Sequence, residues 1–475
     1  MPKRNNWMML LGILLSLAPF GFARGQDDTR QQSREIFKQL IEINTTDSIG
    51  NVTTAAEALA KRLHDAGFSE QDIIVAGPND RKKNLVARLH GTGQQKPILF
   101  LAHLDVVEAR REDWTTDPFQ FVEKDGYFYG RGTVDIKDGA AILVTNFIRM
   151  KKSGLVPNRD LILALTADEE GGNFNGVEWL LKHHRDWIEA EYCVNLDGGD
   201  FMSDKGKKIY GAVQASEKVY VDFQLEVKNP GGHSSRPTRD NAIYHLSEGL
   251  TRLSKFNFPV ELNEITRSML EKSAAIEGGP LAKDMKAAAN PSPDVAVLVR
   301  LSENEFYNAI LRTTCVATML SGGHAPNALP QTARANVNCR ILPGEDPNKI
   351  KEALIKVVDD PQIRVSFVEQ RDADGNLVPP ELVPPSPLRP DLMKAVESAS
   401  ASIWGPLPIM PVMDTGASDG RFLRMAGIPT YGIAGVFLDL DNRRAHGQDE
   451  RVRVQDYYDG VEFNYKLMQN LAPEK

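Results

Sequence analysis

Five short segments of the 475-residue chain carry side chains able to bind a divalent metal ion or move a proton: His103-Leu104-Asp105, Asp135, Asp168-Glu169-Glu170, Asp197 and His446. Three of them follow directly on apolar runs. Ile98 to Ala102 runs into His103, Leu161 to Thr166 into Ala167-Asp168-Glu169-Glu170, and Tyr192 to Leu196 into Asp197. Such runs predict buried strands, and in an open α/β sheet sites form at the C-terminal ends of the strands. Asp135, in Gly130-Arg-Gly-Thr-Val-Asp135, precedes a helix and can reach the same rim. Carboxylates gathered there repel one another unless they are protonated or neutralised by cations. Two divalent metals supply that neutralisation, and His103 and His446 add the imidazoles that zinc favours over calcium or magnesium. Two dications about 3.5 Å apart repel by about 19 kcal/mol even at an effective dielectric of about 20, so a bridging carboxylate is needed. Asp135 is the candidate bridge, with Glu170 and Asp197 completing the acidic ligands. Glu169 is left free as general base on a metal-held water. Asp105 is placed to accept the other imidazole N–H of His103 and fix its tautomer.

The elements that must position these groups follow from periodicity. Helices are expected over Ser33 to Leu40 and Thr53 to Ala66, the second closed by Gly67. Strands at Asn84 to Leu89, Ile98 to Ala102, Leu161 to Thr166 and Tyr192 to Leu196 alternate with helices at Gly139 to Ser153 and Asn175 to Asp186. This alternation predicts an α/β fold with a mixed, largely parallel sheet flanked by helices. The pattern changes near Ala215. Lys218 to Lys228 alternates as a half-exposed strand, Asn241 to Leu253 is an amphipathic helix, and Leu311 to Leu320 and Ala333 to Leu342 are strands. Asn348 to Asp359 (helix) and Ile363 to Val368 (strand) complete the strand-helix-strand-strand-helix-strand order of a ferredoxin-like α+β unit. Residues 26–214 and 391–475 are thus read as two parts of one catalytic domain, and 215–373 as an inserted domain. A mostly helical insertion over about 256–306 interrupts the latter, and Asp374 to Pro390 is a Pro-rich linker. Asp391 to Trp404 (helix), Pro429 to Ile433 (strand) and Val454 to Leu471 (helix) resume the first pattern.

Composition narrows the class. With 25% charged residues, 41% hydrophobic residues and a net charge of −8, the chain reads as an ordinary globular protein. It lacks the clustered positive face that nucleic acid demands. Lys3 and Arg4, an apolar run from Trp7 to Phe22 and the small residues of Ala23-Arg24-Gly25 predict a signal peptide over 1–25. A secreted or periplasmic enzyme without stable membrane association after cleavage is therefore expected. Cys193, Cys315 and Cys339 lie in strand-like runs; Cys315 and Cys339 could pair if their strands are neighbours, but buried free thiols are the preferred reading. His64, His90, His183, His184 and His245 are read as core or cap residues.

Six ordered motifs carry a resemblance over nearly all of the mature chain: His103-Leu-Asp105, Gly130-Arg-Gly-Thr-Val-Asp135-Ile-Lys137, Asp168-Glu-Glu-Gly-Gly172, Gly231-Gly-His-Ser-Ser235, Asn327-Ala-Leu-Pro330 and His446-Gly-Gln-Asp-Glu450. In these the chain resembles the zinc metallopeptidases grouped with acetylornithine deacetylase, succinyl-diaminopimelate desuccinylase, aminoacylase, carnosinase and carboxypeptidase G. The Asn338-Cys-Arg-Ile-Leu-Pro-Gly344 segment is closer to the carboxypeptidase S-like, secreted branch. The resemblance implies a di-zinc exopeptidase fold with two Zn2+ per subunit, cobalt or manganese being possible substitutes. One zinc would take His103 and Asp197, the other Glu170 and His446, with Asp135 bridging and Glu169 as base. The inserted domain would be a lid and homodimerisation domain. Its His233 would reach a partner subunit's site to stabilise the oxyanion, and Asn327 and Arg340 would hold the substrate carboxylate, with Gly416 in the matching substrate loop. The implied substrates are peptides or N-acyl amino acids. Two departures stand out: Asp138 where a small or neutral residue is common, and Gly198 where an acid is often found. The latter leaves Asp197 as the ligand of its segment, with Asp200 as fallback.

Overall fold

The short apolar runs pair into a ten-stranded mixed sheet, in a computed structural model that describes residues 20–371, 377–378, 380, 382–441 and 444–474. Its path runs Ile73–Ala76, Asn84–Leu89, Leu161–Thr166, Ile98–His103, Tyr192–Asn195, Thr430–Gly432, Lys207–Glu217, Phe201–Asp204 and Phe437–Asp439, and Ile409–Asp414 pairs in parallel with Lys207–Glu217. The centre is parallel: Ile98–His103 lies between Leu161–Thr166 and Tyr192–Asn195, all in one direction. Alternation along Ile98–His103 divides the core. Ile98, Phe100 and Ala102 face the helices Lys137–Ser153 and Val454–Leu471, while Leu99 and Leu101 pack with Val177 and Leu180 of Gly176–His183. Helices on both faces explain why these strands are apolar throughout rather than alternating with polar residues.

Helix Phe20–Ile41 begins well before the expected Ser33 and overlaps the end of the expected signal peptide; most of that leader lies outside the described residues. Phe37 stacks on Tyr457 at 4.7 Å, and the Tyr457 hydroxyl donates to the Ser33 carbonyl at 3.0 Å. The two ends of the chain are thereby bound into one core. None of the described helices is long and apolar enough to cross a membrane.

Residues 219–367 contain a separate four-stranded antiparallel sheet in the order Thr314–Gly322, Thr332–Ile341, Val219–Lys228, Ile363–Phe367. Helices Ala242–Leu253 and Pro347–Val358 cover one face and close a core of their own around Phe223, Leu246, Val337 and Leu354. This is the ferredoxin-like order, with each helix started by a side-chain cap, Asn241 and Asp346. Thr314–Gly322 and Thr332–Ile341 are neighbours with Cys315 opposite Cys339, and the two form a disulfide. The preferred expectation of free thiols was therefore wrong for this pair. The register puts the two Cβ atoms face to face, whereas Cys193 stays a buried free thiol.

The helical insertion does not belong to this smaller core. Its helices Glu264–Glu277, Gly279–Ala288, Val295–Ser302 and Glu305–Leu311 bury Ile265, Met269, Leu270, Met285 and Leu301 in the core of the large sheet. Lys272 ties the first helix to that sheet, its Nζ donating to the Ile409 carbonyl at 2.7 Å.

Candidate metal centre

His103 is the last residue of its strand and is buried, and Asp135 lies immediately before the N-cap of helix Lys137–Ser153. Asp135 stands between the two histidines. Its Oδ1 is 3.1 Å from His103 Nε2 and its Oδ2 is 3.0 Å from His446 Nε2. Glu170 Oε1 lies 2.8 Å from the same His446 nitrogen. Potential ligand atoms of His103, Asp135 and Glu170 lie within 4.8 Å of one another, as do those of His103, Glu169 and Asp197. The five expected ligands therefore converge. Glu169 is as close to the second group as a ligand would be, and Asp197 rather than Asp200 supplies the carboxylate from its segment.

Asp105 differs from expectation. Its two carboxylate oxygens accept the backbone N–H groups of Glu169 (3.2 Å) and Glu170 (3.0 Å), so they hold the acidic turn. The Asp105 backbone carbonyl, 3.0 Å away, is what meets His103 Nδ1; the carboxylate stands off at 3.6 Å. Two N–H donors at once satisfy a carboxylate better than one ring nitrogen. With Nδ1 engaged by the carbonyl, Nε2 is the nitrogen turned toward Asp135, as a ligand must be.

The carboxylates and imidazoles shift one another's affinity for protons. Burial, and then repulsion from Asp197, push Glu169 well above the ordinary carboxylate range, and burial with repulsion from Asp135 does the same to Asp197. Burial also opposes ionisation of Asp135, but hydrogen bonds from His103 and His446 outweigh it and hold that carboxyl below its usual range. Hydrogen bonds to Asp135 and Glu170 push His446 up to about 10. Four carboxylates, Asp135, Glu169, Glu170 and Asp197, crowded around two imidazoles concentrate negative charge that divalent cations would balance. A mixed imidazole and carboxylate donor set with this demand fits zinc ions.

Several supporting residues were not foreseen. Glu450 is fully buried and accepts four bonds, from Arg131 Nη1 (2.6 Å) and the backbone N–H groups of Gly132 (3.1 Å), Val134 (2.7 Å) and Asp135 (3.1 Å). It fixes the loop that delivers Asp135. Its place in the His446-Gly-Gln-Asp-Glu450 motif was the only hint. Lys82, in the run Arg81-Lys82-Lys83, is buried and bridges Asp168 and Asp47. Asp168 takes φ +57°, and a Cβ on the neighbouring Gly172 would lie 2.3 Å from its Oδ2, so the turn needs that glycine. Asp419 accepts from Thr166 Oγ1 (3.0 Å) and Asn175 Nδ2 (2.6 Å), and burial pushes it up to about 6.

The groups expected in the smaller domain are not among the convergent ligand atoms. His233 is exposed, its Nδ1 accepting from Ser235. The Asn327 carbonyl accepts from Ser234 N at 3.1 Å, and Arg340 is half-buried with its guanidinium 4.7 Å from the centre of the Tyr220 ring. Gly416, by contrast, lines a cavity together with Asp135 and Asp197.

An α/β sheet that brings the buried His103, the exposed His446 and the half-buried carboxylates of Asp135, Glu170 and Asp197 to one rim has the donor set of a metal-dependent hydrolase. The chain belongs to peptidase family M20/M25/M40, whose model matches residues 99–470. It is 27% identical over 465 residues to the N-fatty-acyl-amino acid synthase/hydrolase PM20D1 of Homo sapiens, covering 93% of this chain and 88% of that protein. Carboxypeptidase S of Saccharomyces cerevisiae is 25% identical over 425 residues, with coverage of 79% and 72%. Among solved structures, an M20 family metallo-carboxypeptidase from Sulfolobus solfataricus superposes with a TM-score of 0.67 at 16% identity, covering 92% of this chain and 98% of that one.

Proposed function

We propose that the protein is an exported hydrolase that uses two zinc ions to cleave an amide bond next to a free carboxylate, in peptides or N-acyl amino acids. The observation that carries this reading is Asp135: its two carboxylate oxygens face different imidazoles, the arrangement a bridging ligand needs. One ion would be held by His103 and Asp197, the other by Glu170 and His446. When bound, the metals supply Lewis acidity and water activation. Glu169 takes the proton from the attacking water and passes it to the leaving amine, a role that suits a carboxylate standing beside the ligands. Arg340 and Asn327 hold the substrate carboxylate after the smaller domain closes. His233, exposed and not among the convergent ligand groups, serves a partner subunit's site. Dimerisation through the edge strand Thr314–Gly322 is supported by Val316, Met319 and Leu320, which are 60%, 71% and 68% exposed on an open strand edge. Export is supported by the leader-like residues 1–25 and by the Cys315–Cys339 disulfide, which suits an oxidising compartment.

The test is chelation followed by assay of dipeptides and N-acyl amino acids, then restoration with zinc, cobalt or manganese. Metal-restored hydrolysis is expected; its absence across the whole panel sinks the proposal. A deacylase reading within the same chemistry is favoured by the similarity to a protein named for N-fatty-acyl-amino acids. Comparing the two halves of the panel separates deacylase from peptidase.

A further inference from the structure

The face of the smaller sheet that its helices leave uncovered holds an arginine without a counter-charge. Along Val219–Lys228, Val219, Val221 and Phe223 are buried in the core under the helices, so Tyr220 and Asp222 lie on the opposite face. Antiparallel register sets Arg340 directly opposite Tyr220, and Asn338 opposite Asp222. The half-buried Arg340 guanidinium stacks on the Tyr220 ring, 4.7 Å from its centre. Asp222 is its diagonal neighbour across the strand pair, within reach of a long side chain, and the two attract electrostatically. Yet among the described residues no carboxylate pairs with Arg340, although Arg334 and Arg364 on the same sheet both pair with Glu226. The reason is that Asp222 is engaged elsewhere. Its Oδ2 accepts from the Tyr220 hydroxyl at 2.7 Å, and its Oδ1 accepts from Nδ2 of Asn336 at 2.9 Å and of Asn338 at 3.0 Å.

We propose that Tyr220 is a positioning residue for Arg340: its ring holds the guanidinium by stacking, and its hydroxyl occupies Asp222, so that Arg340 stays open for the substrate carboxylate. The proposal rests on the carboxylate role given to Arg340 above and adds what keeps that arginine available. Arginine forms its strongest side-chain bonds with carboxylates, and two parallel N–H donors make such a pair specific. A free Asp222 one diagonal step away would therefore compete with the substrate for the same donors. The Tyr220 hydroxyl and the two asparagine amides share out both oxygens of Asp222 and remove that competitor. Stacking adds a second effect, because a guanidinium held flat on a ring loses less freedom when an anion arrives.

The experiment measures kcat and KM separately on the zinc-loaded protein, for one N-acyl amino acid and for the same compound with its carboxylate converted to a carboxamide. Tyr220→Phe keeps the ring and frees Asp222. KM for the carboxylate substrate should rise about three- to fivefold, the range a partly exposed ion pair can supply, while kcat changes by less than about twofold. Tyr220→Phe/Asp222→Asn removes the competing charge and should bring KM back to within about twofold of wild type, a rescue that only coupled residues show. Tyr220→Leu/Asp222→Asn lacks the ring as well and should keep KM raised. Tyr220 is 37% exposed, and circular dichroism with zinc content establishes that each variant is folded and loaded. An unchanged KM in Tyr220→Phe, or a Tyr220→Phe/Asp222→Asn protein no better than Tyr220→Phe, overturns the positioning role and leaves the hydrolase reading intact. Wild-type protein that turns over the carboxamide as well as the carboxylate removes the carboxylate role of Arg340, and the proposal with it. Wild-type protein that hydrolyses no amide overturns the hydrolase reading itself.

Discussion

Replacing Glu450 by glutamine should damage the metal centre without touching a metal ligand. The substitution keeps the bulk of a fully buried side chain but exchanges one carboxylate oxygen for an NH2 group. Oε1 serves Val134 N and Asp135 N, and Oε2 serves Arg131 Nη1 and Gly132 N. Whichever way the amide turns, two donors lose their acceptor. At about 1–3 kcal/mol for each buried unsatisfied donor, the loss is about 2–6 kcal/mol. Arg131, buried, loses its counter-charge whichever way the amide turns, and the upper half applies if its N–H also faces the new NH2 group. These donors belong to the loop that ends in Asp135, so the damage is local as well as global, and zinc affinity should fall by about ten- to a hundredfold. Urea unfolding of the metal-free protein reads the first quantity, and competition with a chromogenic chelator reads the second. A Glu450→Gln protein that unfolds within about 0.5 kcal/mol of wild type and binds zinc as tightly would refute the reasoning.

Three further outcomes are expected. Glu169→Gln should retain zinc by elemental analysis and lose about 10²–10⁴-fold in kcat; an active variant would remove Glu169 from the proton-transfer role. Because hydrogen bonds hold a proton on His446 up to about 10 in the metal-free protein, zinc must displace that proton. Affinity should therefore rise with pH, by about a hundredfold from about pH 6 to about pH 8 for one proton released, and titrations giving the same affinity at both values would contradict the imidazole's role. The Cys315–Cys339 disulfide spans a sequence separation of 24, and loop-closure entropy sets its contribution at about 3 kcal/mol. Cys315→Ser/Cys339→Ser should lower the melting temperature of the smaller domain, and a thermogram unchanged by the double substitution would show that the bridge contributes nothing.

What the sequence disclosed and what it concealed divide along a physical line. The strands Asn84–Leu89 and Leu161–Thr166 and the helix Val454–Leu471 fall where apolar periodicity put them, because burial on a sheet face or helix stripe leaves a local signature. The candidate ligands were legible for a related reason: a carboxylate or imidazole directly after a fully apolar run is a conflict that a functional rim resolves. Groups that act through backbone atoms leave no such trace. Asp105 was expected to work through its carboxylate on His103, but it is the carbonyl that meets the ring, and no side-chain pattern reports a carbonyl. Lys82 sits among two other basic residues, and only the fold reveals that it alone is buried against Asp168. The disulfide was missed because pairing depends on register across 24 residues rather than on either strand alone. The insertion was opaque for the strongest reason. Its apolar stripe, Ile265, Met269 and Leu270, specifies that it packs on something, while the partner is a sheet assembled from segments on both sides of it in the chain, Lys207–Glu217 before and Ile409–Asp414 after. A local pattern can say that a face is buried; only topology says against what, and in this chain that surface lies beside the metal centre.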